Sequence, residues 1–201
     1  MNYAIIGFGA VGQALAQAFA RKGIEVAVAS RRQPEALASQ AEAIGPKVIP
    51  RSLPDALHAD IRLLAVPFRE HQAVAKAAAS WKGKIVIDAT NAFGVPLQEL
   101  QGLPSSVVIS RALPAAKLVK AFNHLPAAKL AADPQVNGGR RVIFLSGDDE
   151  GAIAGVAGLV EQLGFAPVSL GKLTEGGLLA QARDRSWAPL IFQDLVKFET
   201  K

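Results

Sequence analysis

"NYAIIGFGAVGQALAQAFA", residues 2–20, decides how the rest of this chain is read. A short apolar run meets glycines at positions 7, 9 and 12, then passes into a segment whose Val11, Leu15, Ala18 and Phe19 share one helical face. Strand, Gly-x-Gly-x-x-Gly and helix in that order is the context in which this otherwise weak pattern points to a dinucleotide. Gly7 permits a tight turn, Gly9 lets a pyrophosphate approach the backbone, and Gly12 lets the helix lie close to the strand. The helix N-terminus attracts the phosphate charge, which makes Phe8, Ala10 and Val11 candidate contacts as well. The run has the Ala-x-Ala look of a signal peptide, but no basic leader precedes it, so it reads as part of the fold.

Outward from this loop the alternation continues. Lys22-Gly23 stops the first helix, "EVAVAS" (25–30) is a second buried strand, and Pro34 opens a helix carrying Leu37, Ala41 and Ile44. "KVIP" (47–50), a short helix near Ser52 to His58, the strand "IRLLAV" (61–66), a helix through "EHQAVAKAAASW" (70–81) and the strand "KIVIDA" (84–89) follow. Near-continuous apolar strands separated by helices are what a mainly parallel sheet covered on both faces requires. The expected fold is α/β, a doubly wound Rossmann-type sheet over residues 1–172. Beyond Thr90 the pattern loosens. "SSVVISRAL" (105–113) reads as strand from its β-branching or as helix from a Ser105 cap, and both stay open. "KLVKAF" and "RRVIFLSG" are strand-like, a helix is expected from about Glu150 to Leu163, and "APVSL" closes the sheet. Residues 173–201 read as a helical tail packed on the domain or on a dimer partner, with Trp187, Leu190, Ile191, Leu195 and Phe198 on one stripe.

Composition bounds the function. With 201 residues, 50% of them hydrophobic, the chain is long enough for one well-buried core. It has no Cys, which excludes disulfides, thiolate catalysis and cysteine-ligated metals, and leaves only His58, His71 and His124 as classical metal ligands. A cytoplasmic, metal-free protein is expected. The net charge of +5 is spread along the chain without a basic tract, against nucleic-acid binding. No segment reaches the roughly 20 apolar residues needed to span a bilayer, so no membrane partner is expected.

The charge reader sits at the end of the second strand. A carboxylate there holds the ribose of NAD, but this chain has Ser30, Arg31 and Arg32. A guanidinium fork pairs with phosphate oxygens where a carboxylate would repel them, so the cofactor expected is NADP(H). Ligands on such sheets lie beyond the carboxyl ends of the strands, which singles out Val66, Pro67, Phe68, Arg69, Glu70 and His71, then Thr90 and Asn91, then Asn123 and His124. Pro67 and Phe68 could wall a nicotinamide and Asn91 or Asn123 bind its ribose or carboxamide, while His71 and His124 are the candidate proton donors. No Ser-His-Asp set or paired carboxylates can be assembled from spacing, and hydride transfer between stacked rings needs little such machinery.

"GFGAVG", "SRR", "AVPFREH", "VKAFN", "SGDDEGA" and "LGFAPVSLGKL" occur here in the order seen in one reductase family. The chain resembles the NADP oxidoreductases that reduce the deazaflavin coenzyme F-420, and equally the NADPH-binding domain of the six-transmembrane metalloreductases. "FREH" and "VKAFN" look closest to the latter, "SRR" and "HLPAAKLA" to the former. The resemblance implies an often dimeric enzyme passing hydride between NADPH and a flavin or deazaflavin. It places Gly7 to Gly12 and Ser30 to Arg32 on NADPH, and Pro67, Phe68, Asn91, Asn123, His124 and Pro126 near the nicotinamide or acceptor ring, with Asn123 and His124 as catalytic candidates. Reduction of a small carbonyl or imine, and non-catalytic NADPH sensing, are the alternative readings.

Overall fold

The computed structural model describes residues 1–96, 98–181 and 194–198. Its first half alternates strictly: β1 (Tyr3–Ile6), α1 (Ala10–Arg21), β2 (Val26–Ala29), α2 (Glu35–Ile44), β3 (Val48–Pro50), α3 (Leu53–Ala56) and β4 (Ile61–Leu64). A 3-10 turn at Phe68–Glu70 leads into α4 (His71–Ala77), then come β5 (Ile85–Asp88), α5 (Ser105–Ala112) and β6 (Lys117–Lys120). These six strands are parallel and ordered β3-β2-β1-β4-β5-β6. That is the Rossmann order, with the strand order reversing beside β1.

Side chains alternate across the sheet. Ile5, Val28, Leu63, Ile87 and Val119 join one core with Leu15 and Phe19 of α1. Ala4, Ile6, Leu64, Val86 and Leu118 join the other, with Trp81 and with Ile109 of α5. Burial on both faces explains why these strands read as unbroken apolar runs.

One open reading is decided, and the chain beyond β6 departs from the parallel alternation. "SSVVISRA" is a helix, because Ser105 and Ser106 are buried in its first turn and tied down: the Gln181 side chain accepts from the Ser105 amide and Ser106 Oγ donates to Asp88. Tertiary contacts override its β-branched propensity. After α6 (Ala127–Ala131), β7 (Gln135–Val136) and β8 (Gly139–Gly147) form a hairpin on Asn137-Gly138, both at positive φ, the geometry that Asn-Gly favours. β8 runs antiparallel to β6. α7 (Glu150–Gln162), capped by the Asp149 side chain on the Ala152 amide, and β9 (Ala166–Ser169), parallel to β8, complete this end.

The tail starts with α8 (Gly176–Ala180). The expected stripe residues Trp187, Leu190 and Ile191 lie outside the described residues. Its last member is not helical, since β10 (Val196–Phe198) pairs antiparallel with β8 and so returns the chain to the sheet. No helix among the described residues is long and apolar enough to cross a membrane.

Candidate active site

The parallel strands end together on one edge, and two sites lie along it. The first is a cleft of about 360 Å³ over the ends of β1, β2 and β4. Its floor is the glycine loop. An ideal Cβ on Gly7 would lie 2.3 Å from the Ala65 carbonyl oxygen, and one on Gly12 would lie 1.9 Å from that of Gly7. Both glycines are therefore demanded by packing, and Gly7 also by its φ of 103°. Gly9 differs, because a Cβ there meets nothing within 4 Å. It lines the cleft and precedes α1, which has neither a side-chain cap nor an acid in its first turn. The α1 amides and dipole thus point at an approachable surface, suited to an anion.

Ser30, Arg31 and Arg32 form one wall of this cleft, and Leu53, Ala73 and Val74 add apolar surface. Ser30 Oγ accepts from the Arg32 amide at 3.0 Å and keeps its own proton to donate. The Arg32 guanidinium donates to Gln40 Oε1 at 3.1 Å, and Arg31 reaches across to Glu70 Oε1 at 3.0 Å. Val66 and Pro67 line the cleft, whereas Phe68 is buried and packs its ring on His71 at 4.9 Å between centroids.

The second site is a buried polar cluster where β5 and β6 end. Lys120 and Asp88, 1% and 0% exposed, form an ion pair at 3.3 Å. Lys120 Nζ also donates to the Thr90 carbonyl, and Asp88 accepts from the Thr90 amide and from Ser106 Oγ. This binds the two loop starts to each other, and the next residues carry paired asparagines. Asn91 Nδ2 donates to the Asn123 carbonyl at 2.7 Å, and Asn123 Nδ2 donates to Asn91 Oδ1 at 3.0 Å and to the Ala180 carbonyl at 2.7 Å. Phe122 takes a φ of 63° to make this turn, a strained value for a residue with a Cβ, held by full burial and edge-on packing against Phe165.

Residues 2–92, which include the whole cleft, match the family described as NADP oxidoreductase, coenzyme F-420-dependent. A hypothetical protein from Sinorhizobium meliloti is 43% identical, with 98% of this chain and 96% of that one covered and a TM-score of 0.89. Over those residues the chain is similar to this NADP oxidoreductase family, and over nearly its whole length to the Sinorhizobium protein. A candidate F-420-dependent NADP reductase from Arthrobacter sp. FB24 is 29% identical over 90% of both chains, with a TM-score of 0.72. The fold is also that of a reductive aminase from Aspergillus terreus in complex with NADPH and ethyl-5-oxohexanoate, 20% identical, with a TM-score of 0.67. That match covers 89% of this chain and 57% of the aminase. No curated protein matches the chain.

The residues singled out from sequence fall in four places. Gly7, Phe8, Gly9, Ser30, Arg31, Arg32, Val66 and Pro67 come together around the cleft. Ala10, Val11 and Gly12 form the first turn of α1 behind it. Asn91 and Asn123 meet each other instead, at the neighbouring strand ends. The two histidines are placed as packed residues. His71 Nδ1 bonds to the Phe68 carbonyl, and its Nε2 is buried without a partner among the described residues. His124 Nε2 donates to the Val142 carbonyl at 3.1 Å, and burial pulls its pKa down to about 4. Among the described residues no group of three His, Asp or Glu could hold a metal ion. Sequence reading missed Asp88 and Lys120, and gave no role to Glu70, which it placed only in the stretch after the fourth strand. The signal for the first two was a charge inside each of the apolar runs "KIVIDA" and "KLVKAF".

Proposed function

We propose that this chain binds NADPH in the cleft and passes its hydride to a flavin or deazaflavin acceptor. The observation that carries the cofactor reading is the meeting, in one cleft, of an uncapped and approachable helix start with Ser30, Arg31 and Arg32. The α1 amides fit a pyrophosphate, the two arginines and Ser30 fit a 2′-phosphate, and Leu53, Ala73 and Val74 fit an adenine face. When bound, the nicotinamide supplies the hydride. Val66 and Pro67 would wall that ring, and the Asn91–Asn123 pair, held by Lys120 and Asp88, lies at the next strand ends where an acceptor would be oriented. The Arthrobacter relative, described as F-420-dependent, supports the acceptor class.

The placement of the histidines favours a ring acceptor over a small carbonyl or imine. Reducing a carbonyl or imine needs a proton beside the new alkoxide or amine. His124 is unprotonated at neutral pH and directs its Nε2 proton to a backbone carbonyl, and neither His71 nor His124 lines the cleft. We also propose that two copies pair through the tail, where Leu178 and Leu179 of α8 expose apolar surface. Light scattering should then give twice the 21.0 kDa chain mass.

Calorimetry tests the cofactor. NADPH should bind more tightly than NADH, and Arg31→Ala should lose about 1.5–3 kcal/mol of NADPH affinity, the range for hydrogen bonds to charged groups. Equal binding of the two dinucleotides would overturn this. For the acceptor, NADPH oxidation is followed with F-420, FMN, FAD, quinones, carbonyls and imines. Turnover with carbonyls or imines alone would replace the flavin reading, and turnover with none would make the protein an NADPH sensor.

A further inference from the structure

Among the described residues, Glu70 is the one acid lining a cleft otherwise suited to anions. It ends the turn that follows β4, and its Oε1 takes the Arg31 guanidinium, from the turn after β2, at 3.0 Å. The fold does not require this pair. Arg31 is 82% exposed and Glu70 31%, the setting in which an ion pair contributes little to stability. The neighbouring Arg32 is held differently, by the neutral Gln40 amide. Of the two guanidiniums available to a phosphate, one is therefore already matched by an anion.

We propose that Glu70 is a specificity-determining counter-anion that occupies Arg31 in the free protein and yields it to the 2′-phosphate of the incoming dinucleotide. This rests on the NADPH reading above. The contact with Glu70 is made through one nitrogen, so a phosphate dianion, with twice the charge and three oxygens, is the stronger partner for the fork. That contact must nevertheless be broken before the phosphate can take Arg31, so the carboxylate competes with the phosphate for the same fork. It lowers the affinity for NADPH and hastens release of NADP⁺, while NADH, which does not compete for Arg31, is little affected.

Glu70→Gln keeps the shape and an oxygen for Arg31 but removes the charge. Calorimetry with NADPH, NADH and adenosine 2′,5′-bisphosphate should show both 2′-phosphorylated ligands tightening about two- to fivefold, the worth of the exposed ion pair that they must break. NADH should change less than about twofold, and in an Arg31→Ala background the gain should largely vanish. Unchanged or weaker NADPH binding by Glu70→Gln, an equal gain for NADH, or a gain that survives loss of Arg31 would each overturn the proposal. If the unaltered protein binds NADPH and Glu70→Gln does not tighten it, this inference alone falls. If neither protein binds either 2′-phosphorylated ligand, the cofactor reading falls with it.

Discussion

Alanine at Gly9 and at Gly12 should injure the protein in opposite ways, although the two glycines belong to one motif. At Gly12 the added Cβ would lie 1.9 Å from the Gly7 carbonyl oxygen and 2.9 Å from its carbon, and backbone cannot rotate aside as a side chain can. Helix α1 must move off β1, an overpacking that costs about 1–3 kcal/mol or more. At about 2–4 °C per kcal/mol for a chain of this size, the melting midpoint should fall by several degrees. At Gly9 the same methyl group meets nothing within 4 Å, and the φ of −83° is ordinary for alanine. Only the poorer capping of α1 is lost, about 0.5–1 kcal/mol. The methyl would instead stand where a pyrophosphate approaches and displace it from the α1 amides. With charge-assisted bonds at about 1.5–3 kcal/mol each, NADPH affinity should fall at least about tenfold. Thermal melts with calorimetry on both variants check this. A Gly9→Ala protein that binds NADPH normally would refute the phosphate-cradle reasoning, and a Gly12→Ala protein as stable as the parent would refute the packing argument.

Two further outcomes follow from buried groups. Lys120→Met leaves Asp88 fully buried beside Ser106 and the Thr90 amide but without a counter-charge, so urea unfolding should show a loss of about 3–5 kcal/mol. Adding Asp88→Asn should restore part of it, and a Lys120→Met loss under about 1 kcal/mol would show that the pair does not hold the β5 and β6 ends. His124 should make the protein acid-sensitive. Its folded pKa of about 4 lies below the ordinary 6.5, so between those values the unfolded chain binds a proton that the folded one refuses. Stability therefore falls as pH drops through that window, by up to roughly 3 kcal/mol, and levels off below it. Chemical unfolding at several pH values should show the slope, and His124→Gln should flatten it. An unchanged slope in that variant would assign the acid sensitivity elsewhere.

What was legible in the fold, and what was not, follows from the range of the interactions involved. β1, β2 and β4 to β6 could be read because each is buried on both faces, and the helix stop at Lys22-Gly23 and the start at Ser52 are local. α5 could not, since its helical state depends on Asp88 and Gln181, 18 and 76 residues away. "RRVIFLSG" reads as a buried strand in either direction, and its antiparallel course is set by the Asn137-Gly138 turn, a local signal that was there to be used. β10 is short and pairs with Arg140 and Arg141, more than 50 residues back, so amphipathic spacing around it passed for helix.

The same distinction divides the site. The proposed cofactor end is built from contiguous pieces, a glycine loop and a Ser-Arg-Arg turn, because a dinucleotide's phosphates are held by one helix start and one strand end. Its chemistry is therefore written in short motifs. The proposed reacting end is built from residues far apart in sequence: Asp88 at the end of β5 and Asn91 beyond it, Lys120 at the end of β6 and Asn123 beyond it, Ser106 from α5 and the Ala180 carbonyl from α8. None of these positions forms a motif alone, and each acquires a role only when β5 pairs with β6 in register, Asp88 opposite Lys120. An acceptor would be chosen by this assembled end and by whatever the tail brings to it through Ala180 and Gln181. Relatives that share the cleft can therefore differ in acceptor through changes in α5, α8 and the strand ends while "GFGAVG" and "SRR" stay the same. Substitutions at Asn91 or Asn123 should accordingly change turnover with the acceptor and leave the preference for NADPH over NADH intact, whereas substitutions at Arg31 should do the reverse.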